Sequence, residues 1–238
     1  FLDLDSSLES MNTDYLSELR RSLECLGPET PNRVGVLTGR SIKAARKRYA
    51  EFYLPDPSVW ICRAGTEIYY GAEDQHDRFW QSSIGIDWDR SGVEQSLAAL
   101  KDHLELQDNE QQSSYKVSYL LRKPDQAILP LVRKRLRQKG QAALPYLRCH
   151  WYLDVIPLRA SRAEAIRHLA LRWHVPLEHI FVVASQQGDA ELIRGLTTAV
   201  VPADHDPCLE SLRSQQRVFF ASRSKDSFVE GLRHYRFS

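Results

Sequence analysis

Short apolar runs and longer amphipathic stretches alternate along this chain, and the alternation predicts most of its elements. Phe1–Asp5 is apolar and then acidic, as the end of a strand should be. Leu16–Leu26 repeats apolar residues at helical spacing and stops at Gly27-Pro28, a standard helix exit. Val34–Thr38 reads as a strand ending in Gly39, and Ile42–Phe52 as a helix. Val59–Cys62 and Glu67–Tyr70 flank Gly65 as two short strands around a turn. The end of the chain resumes this rhythm. Arg162–Trp173 is a strongly periodic helix, and Ile180–Ala184 is the continuous apolar run of a buried parallel strand. Ala190–Leu196 follows as a short helix, Ala199–Val201 as a strand and Phe228–Tyr235 as a closing helix.

Between these halves the pattern changes. Val93–Leu106 reads as a helix, Asp108–Ser114 as an exposed polar stretch and Tyr115–Leu121 as an alternating strand. Ile128–Lys139 then reads as a helix and Cys149–Val155 as a strand. The expectation is an α/β fold: a doubly wound, mostly parallel sheet from residues 1–71 and 157–238, with an α+β cap domain inserted at 72–156.

With 238 residues there is room for a core plus such an insert. A formal net charge of +1 argues against a nucleic-acid groove or a polybasic membrane patch. The basic runs Lys43–Arg48 and Arg133–Lys139 are interleaved with apolar residues and read as solvated helix faces. No apolar run approaches the ~20 residues of a membrane span, and no signal peptide is visible. Cys25, Cys62, Cys149 and Cys208 are widely and irregularly spaced, and Cys62 and Cys149 sit inside apolar strand-like runs, which predicts buried, reduced thiols in a cytoplasmic protein. The eight histidines show no metal-ligand spacing, so zinc is not expected. The chain opens on Phe1 within a strand, which predicts a fragment of a longer polypeptide.

In a doubly wound sheet, ligands bind beyond the carboxyl ends of the strands. The residues predicted there are Asp3 and Asp5, then Thr38 and Gly39, then Ser185, Gly188 and Asp189. Arg162 opens the helix before the last of these strands. Carboxylates, a hydroxyl and a cation converging on one crevice suit a phosphate ester with a divalent cation.

The same residues carry a resemblance. Asp3-Leu4-Asp5-Ser6-Ser7-Leu8 resembles the first motif of haloacid-dehalogenase (HAD) phosphatases, and Leu37-Thr38-Gly39-Arg40 the second. Within that superfamily, Gly65-Thr66-Glu67-Ile68-Tyr69, Lys116-Val117-Ser118-Tyr119 and Asp154-Val155-Ile156-Pro157 resemble segments of sucrose-phosphate phosphatase. Val155–Arg162 and Arg172-Trp173 are closer to the phosphatase-like tail of sucrose-phosphate synthases. The resemblance implies Asp3 as nucleophile, Asp5 as acid and base, and Thr38 and a third-motif cation as phosphate holders. It implies Gly39, Arg40 and Lys116 as substrate-binding residues. It also implies Mg²⁺ on Asp3, Asp5 and Asp189, a sucrose 6-phosphate ligand, and a glycosyltransferase domain preceding Phe1, with a discrete phosphatase as a further partner. An active Mg²⁺-dependent phosphohydrolase is the alternative to a worn one.

The chain departs from the motifs where the metal should bind. The fourth motif reads Ala184-Ser185-Gln186-Gln187-Gly188-Asp189, with Ser185 in place of the metal-binding aspartate. Arg162 replaces the third-motif lysine, and a planar guanidinium cannot simply copy an ammonium. The expected activity is therefore feeble or absent. Each residue also has a plainer reading. Asp3 and Asp5 would be strand-end solubilisers, Thr38 a helix cap, and Arg162 a partner for Glu164. Asp189 would cap the helix that follows, Lys116 would be solvated, and Trp80, Trp88 and Trp151 would be core aromatics.

Overall fold

The computed structural model describes residues 1–8, 13–26, 32–73, 75–125, 127–148, 150–185, 187–223 and 226–236. The first half runs β1 (Leu2–Asp3), α1 (Leu4–Ser7), α2 (Thr13–Cys25), β2 (Gly35–Leu37), α3 (Ile42–Ala50), β3 (Val59–Cys62), β4 (Glu67–Tyr70) and β5 (Gln75–His76). Helix α4 (Arg78–Ile84) leads to the insert, which holds α5 (Arg90–Leu97), β6 (Leu104–Leu106), β7 (Val117–Leu121), α6 (Ile128–Gln138), β8 (Ala143–Arg148) and β9 (Tyr152–Pro157). The chain then returns through α7 (Arg162–Trp173), β10 (Phe181–Val183), α8 (Ala190–Arg194), β11 (Thr198–Val201), β12 (Val218–Phe220) and α9 (Ser227–His234).

Strands β1, β2 and β3 pair in parallel, and β4 and β5 extend that sheet antiparallel. Strands β10, β11 and β12 form a second parallel sheet. The two meet edge to edge where the Phe1 nitrogen donates to the Phe181 carbonyl at 2.6 Å. Period-two alternation sends neighbouring residues to opposite faces. Val36, Trp60, Cys62, Val183 and Val200 pack under α2, α3 and α9. Leu37, Ile61, Val182, Ala184 and Val201 pack under α4, α7 and α8. Each such aliphatic side chain contributes about 1.5–3 kcal/mol by leaving water. The result is a three-layer α/β core.

The insert has its own antiparallel sheet, ordered β6-β7-β9-β8, and its own apolar cluster under α5 and α6. Helix α4 falls within the 72–156 segment, yet its Trp80 and Ile84 pack with Leu37, Ile61 and Leu169 of the core. Asp77 fastens this root: it accepts the Trp80 amide at 2.9 Å, the Tyr70 hydroxyl at 2.5 Å and a contact from His168 Nε2 of α7 at 2.9 Å.

Two predicted elements are corrected. The helix expected over Val93–Leu106 stops at Leu97, passes through a short 3₁₀ turn, and gives way to β6. Val93, Leu97, Leu100 and Leu104 all enter the same core, so helical spacing continues across a boundary where the backbone has already changed. The strand expected at Cys149–Val155 begins at Tyr152, and the preceding hairpin arm β8 carries Pro145 at a sheet edge, where proline is tolerated. Gly27-Pro28, Cys149 and Gln186 lie outside the described residues. Among the described residues no helix is long and apolar enough to cross a membrane.

Candidate functional site

Asp3 is the last residue of β1, and the chain turns at once into α1, so the Asp5 amide donates to Asp3 Oδ1 at 2.9 Å. Asp3 is 1% exposed. The loop after β2 supplies Thr38, Gly39 and Arg40. Thr38 donates its hydroxyl to Asp5 Oδ2 at 2.8 Å, and the Gly39 amide donates to the same oxygen at 2.9 Å. Arg40 Nε donates to Asp5 Oδ1 at 2.7 Å. Burial works against charge on Asp5, but the Gly39 amide, Arg162, Arg40 and Thr38 outweigh it and hold its carboxyl below the usual range.

Arg162 opens α7, whose first turn is set by two features. Ser161 caps the helix by accepting the Glu164 amide at 3.0 Å. Gly65, at φ +98°, lies so close beneath that a β-carbon there would stand 2.3 Å from the Ser161 carbonyl carbon. So placed, Arg162 Nη1 donates to Asp3 Oδ2 at 2.6 Å and to Asp189 Oδ1 at 3.1 Å. Burial disfavours this cation, yet Asp3, Asp189 and Asp5 more than compensate and raise its pKa. Asp189 Oδ2 accepts the Ser185 amide at 3.0 Å, while Ser185 Oγ is buried with no hydrogen-bond partner among the described residues. The start of the chain and the 185–189 loop thus meet at one mouth beyond the strand ends, joined through Arg162.

The insert closes over this mouth from β7, β8 and β9. Lys116 is fully buried, its Nζ 3.4 Å from Asp154 Oδ1 and 3.4 Å from the Gly39 carbonyl. Burial lowers the Lys116 pKa, against the pull of Asp154. Asp154 also accepts from Ser118 Oγ at 2.7 Å and Arg148 Nε at 2.7 Å. The Tyr146 ring lies 3.5 Å from where a β-carbon on Gly188 would stand.

Several plain readings give way to these contacts. The cap of α3 is Ser41, and Thr38 binds Asp5. Glu164 pairs with Arg167, not Arg162. Asp189 makes no side-chain cap on α8. Trp80 is core, its indole N–H on the Gly65 carbonyl, whereas Trp151 is exposed in the β8–β9 turn. Arg148 escaped sequence reading because β8 itself did. Cross-strand pairing sets it opposite Tyr152, two residues along β9 from Asp154, a position that a hairpin reading of 143–157 would have exposed.

A hard divalent ion such as Mg²⁺ needs about six well-placed oxygens. Asp3, Asp5 and Asp189 share the mouth, but among the described residues no three acidic, His or Cys side chains are grouped to hold an ion. Asp5 is turned to Thr38, Gly39 and Arg40. The cation between Asp3 and Asp189 is Arg162, and the loop position facing them carries a neutral hydroxyl. As arranged, these residues do not fit the metal.

Comparison with known proteins follows the same lines. A family model described as sucrose-6F-phosphate phosphohydrolase matches residues 1–236. "Probable sucrose-phosphate synthase 1" of Craterostigma plantagineum is 30% identical over 173 residues, 61% of this chain and 16% of that protein. "Sucrose-phosphate synthase" of Zea mays is 30% identical over 167 residues, again 61% and 16%. The chain therefore spans about a sixth of these relatives. The sucrose-phosphatase of Synechocystis sp. PCC6803, solved in complex with sucrose and phosphate, superposes with a TM-score of 0.88 at 21% identity, covering 98% of this chain and 96% of that one. A haloacid dehalogenase-like hydrolase from Bacillus subtilis gives 0.66 at 13% identity over 100% and 98%. At these identities the structural likeness speaks for the HAD fold.

Proposed function

The chain belongs to the sucrose-6F-phosphate phosphohydrolase family, and from that premise we propose that it is the phosphatase-like domain of a sucrose-phosphate synthase, binding sucrose 6-phosphate with little or no hydrolysis. The observation that carries this reading is Arg162 lodged between Asp3 and Asp189, with Ser185 where the family places a metal-binding aspartate. A nucleophilic Asp3 needs a cation to share the phosphoryl charge, and a carboxylate pinned by a guanidinium at 2.6 Å is a poor nucleophile. The relatives named as sucrose-phosphate synthases support a glycosyltransferase domain on the same polypeptide; the reading sets that domain before Phe1. In this reading residues 1–71 and 157–238 form the phosphate-holding core. Residues 72–156 form the cap over the sugar, rooted on the core through α4.

Phosphate release from sucrose 6-phosphate with excess Mg²⁺ tests it. The chain should turn over at least about a thousandfold more slowly than an active relative, the scale on which removal of electrostatic transition-state stabilisation is felt. The paired change Ser185→Asp and Arg162→Lys should raise the rate. Turnover of the unaltered chain within about tenfold of that relative, abolished by Asp3→Asn, would establish a working phosphohydrolase instead.

A further inference from the structure

We infer that this charged cluster at the strand ends takes a phosphate monoester without a metal ion, its positive charge supplied by Arg40 and Arg162 of the core and Arg148 of the cap. The inference rests on the sugar-phosphate reading above and adds what stands in for the divalent cation. The Asp5 carboxylate already sits as an anion in a cradle. One oxygen accepts the Thr38 hydroxyl and the Gly39 amide, and the other accepts Arg40 Nε. A hydroxyl, a backbone amide and a guanidinium are also the donors that a phosphoryl oxygen takes. A phosphate offers them the same kind of oxygen with more charge, so it can displace Asp5 from the cradle.

Arg148 covers this cradle from the other side. Its Nε is held by Asp154 Oδ2 at 2.7 Å, which sets the plane of the guanidinium over Gly39. A β-carbon built on Gly39 would lie 3.6 Å from Arg148 Nη1 and 3.8 Å from Asp5 Oδ2. Asp154 is 0% exposed and is also bound by Ser118 and Lys116, so it acts as a positioning residue for Arg148. Arginine binds phosphate through a planar fork that a carboxylate on one edge leaves correctly aimed. On the core side, an entering metal ion would first have to displace Arg162 from Asp3 and Asp189. Around the mouth Arg40, Arg148, Arg162 and Lys116 face Asp3, Asp5, Asp154 and Asp189.

Isothermal titration of the 238-residue chain with inorganic phosphate, and separately with sucrose 6-phosphate, reads this directly. The Kd in excess EDTA should agree with that in excess Mg²⁺ to within about twofold. Arg148→Gln should weaken both ligands by about tenfold or more, the scale of one charge-assisted hydrogen bond. Asp5→Asn, which removes the competing charge, should tighten inorganic phosphate. The EDTA comparison needs no variant, so it stands even if Arg148→Gln fails to fold. Binding of sucrose 6-phosphate in Mg²⁺ but not in EDTA would overturn the inference and leave the sugar-phosphate reading intact. Unchanged affinity in a folded Arg148→Gln chain would overturn it too. Phosphate bound in EDTA with no preference for sucrose 6-phosphate supports the inference and removes the sucrose reading. No binding of either ligand in either buffer sinks both.

Discussion

Two clusters of charge lie on opposite sides of Gly39, and they are built differently. In the core cluster, Asp5 and Arg40 keep side-chain exposures of 21% and 39%, and their donors come from loops at strand ends. In the cap cluster, Lys116 and Asp154 are at 0%; Lys116 lies just before β7, and Asp154 sits on β9, paired with β7. The first can exchange its internal anion for a ligand at small cost, because water and the ligand can both reach it. The second is sealed. Its charges are paired with one another, and its contact with the Gly39 carbonyl makes it a brace between cap and core. Arg148, 28% exposed and held by Asp154, lies against Gly39 and so belongs to both.

The comparison breaks most easily at Asp154. Burial opposes its ionisation, but Lys116, Arg148 and Ser118 outweigh that and hold its pKa below the usual range. Asp154→Asn strands Lys116 as a buried cation, and should cost about 3–5 kcal/mol in urea unfolding. Lys116→Met should cost far less, about 1 kcal/mol, since Asp154 keeps Arg148 and Ser118 and an apolar chain refills the space. Equal losses in the two variants would mean that the pair is no brace.

Next comes the floor under Arg162. Gly65→Ala forces an alanine to φ +98° and drives its β-carbon against the backbone of Ser161 and Arg162. Overpacking against backbone, added to the φ penalty, should cost about 2–4 kcal/mol. The same variant should lose phosphate affinity, because the displaced residue carries the guanidinium that joins Asp3 to Asp189.

Acid should reach both clusters with a smaller effect than Asp154→Asn. Asp5 and Asp154 both have folded pKa values below the ordinary 3.8. The unfolded chain therefore binds more protons in this range, and stability rises with pH there. Their contribution is present above about pH 3.8 and is lost as pH falls through the lower folded values. Urea midpoints across the acid limb should flatten in Asp154→Asn and less so in Asp5→Asn, whose carboxylate is better solvated. An identical slope in all three proteins would remove both groups from the account.

How far the sequence carries a reader differs between the same two regions. In the core, Val59–Cys62, Glu67–Tyr70 and Arg162–Trp173 are legible to the residue, because Gly65 and the Ser161 cap punctuate them. The rule that ligands gather at strand ends also brings Asp3, Thr38, Arg162 and Asp189 together. What it does not give is which charge meets which. Arg162 lies 159 residues from Asp3, and the Ser161 cap together with the close approach of Gly65 to α7 fixes where its guanidinium ends. In the cap, periodicity misleads. Leu104 keeps helical register with Val93 and Leu97 although it sits on a strand, and Pro145 interrupts the alternation of β8. The loss of β8 hid Arg148, and the strand expected over Tyr115–Leu121 made Lys116 look solvated, when it sits just before β7 and is buried against Asp154 and the Gly39 carbonyl.

The smallest effect separates backbone from packing. Gly140, just beyond α6, has φ +67°, and a β-carbon built there meets nothing within 4 Å. It is exposed, and its amide closes the helix on the Arg137 carbonyl at 3.0 Å, a contact that a side chain does not disturb. Gly140→Ala therefore pays only for a left-handed alanine, about 1 kcal/mol. Phosphate affinity should not change, since no atom near Arg40, Arg148 or Arg162 moves. Set beside Gly65→Ala it acts as the blank: the excess cost at Gly65 is the contact with Ser161 together with the less tolerated φ of +98°. If the two substitutions cost the same, the close approach under α7 carries no weight. Arg162 would then owe its place to Asp3 and Asp189 alone.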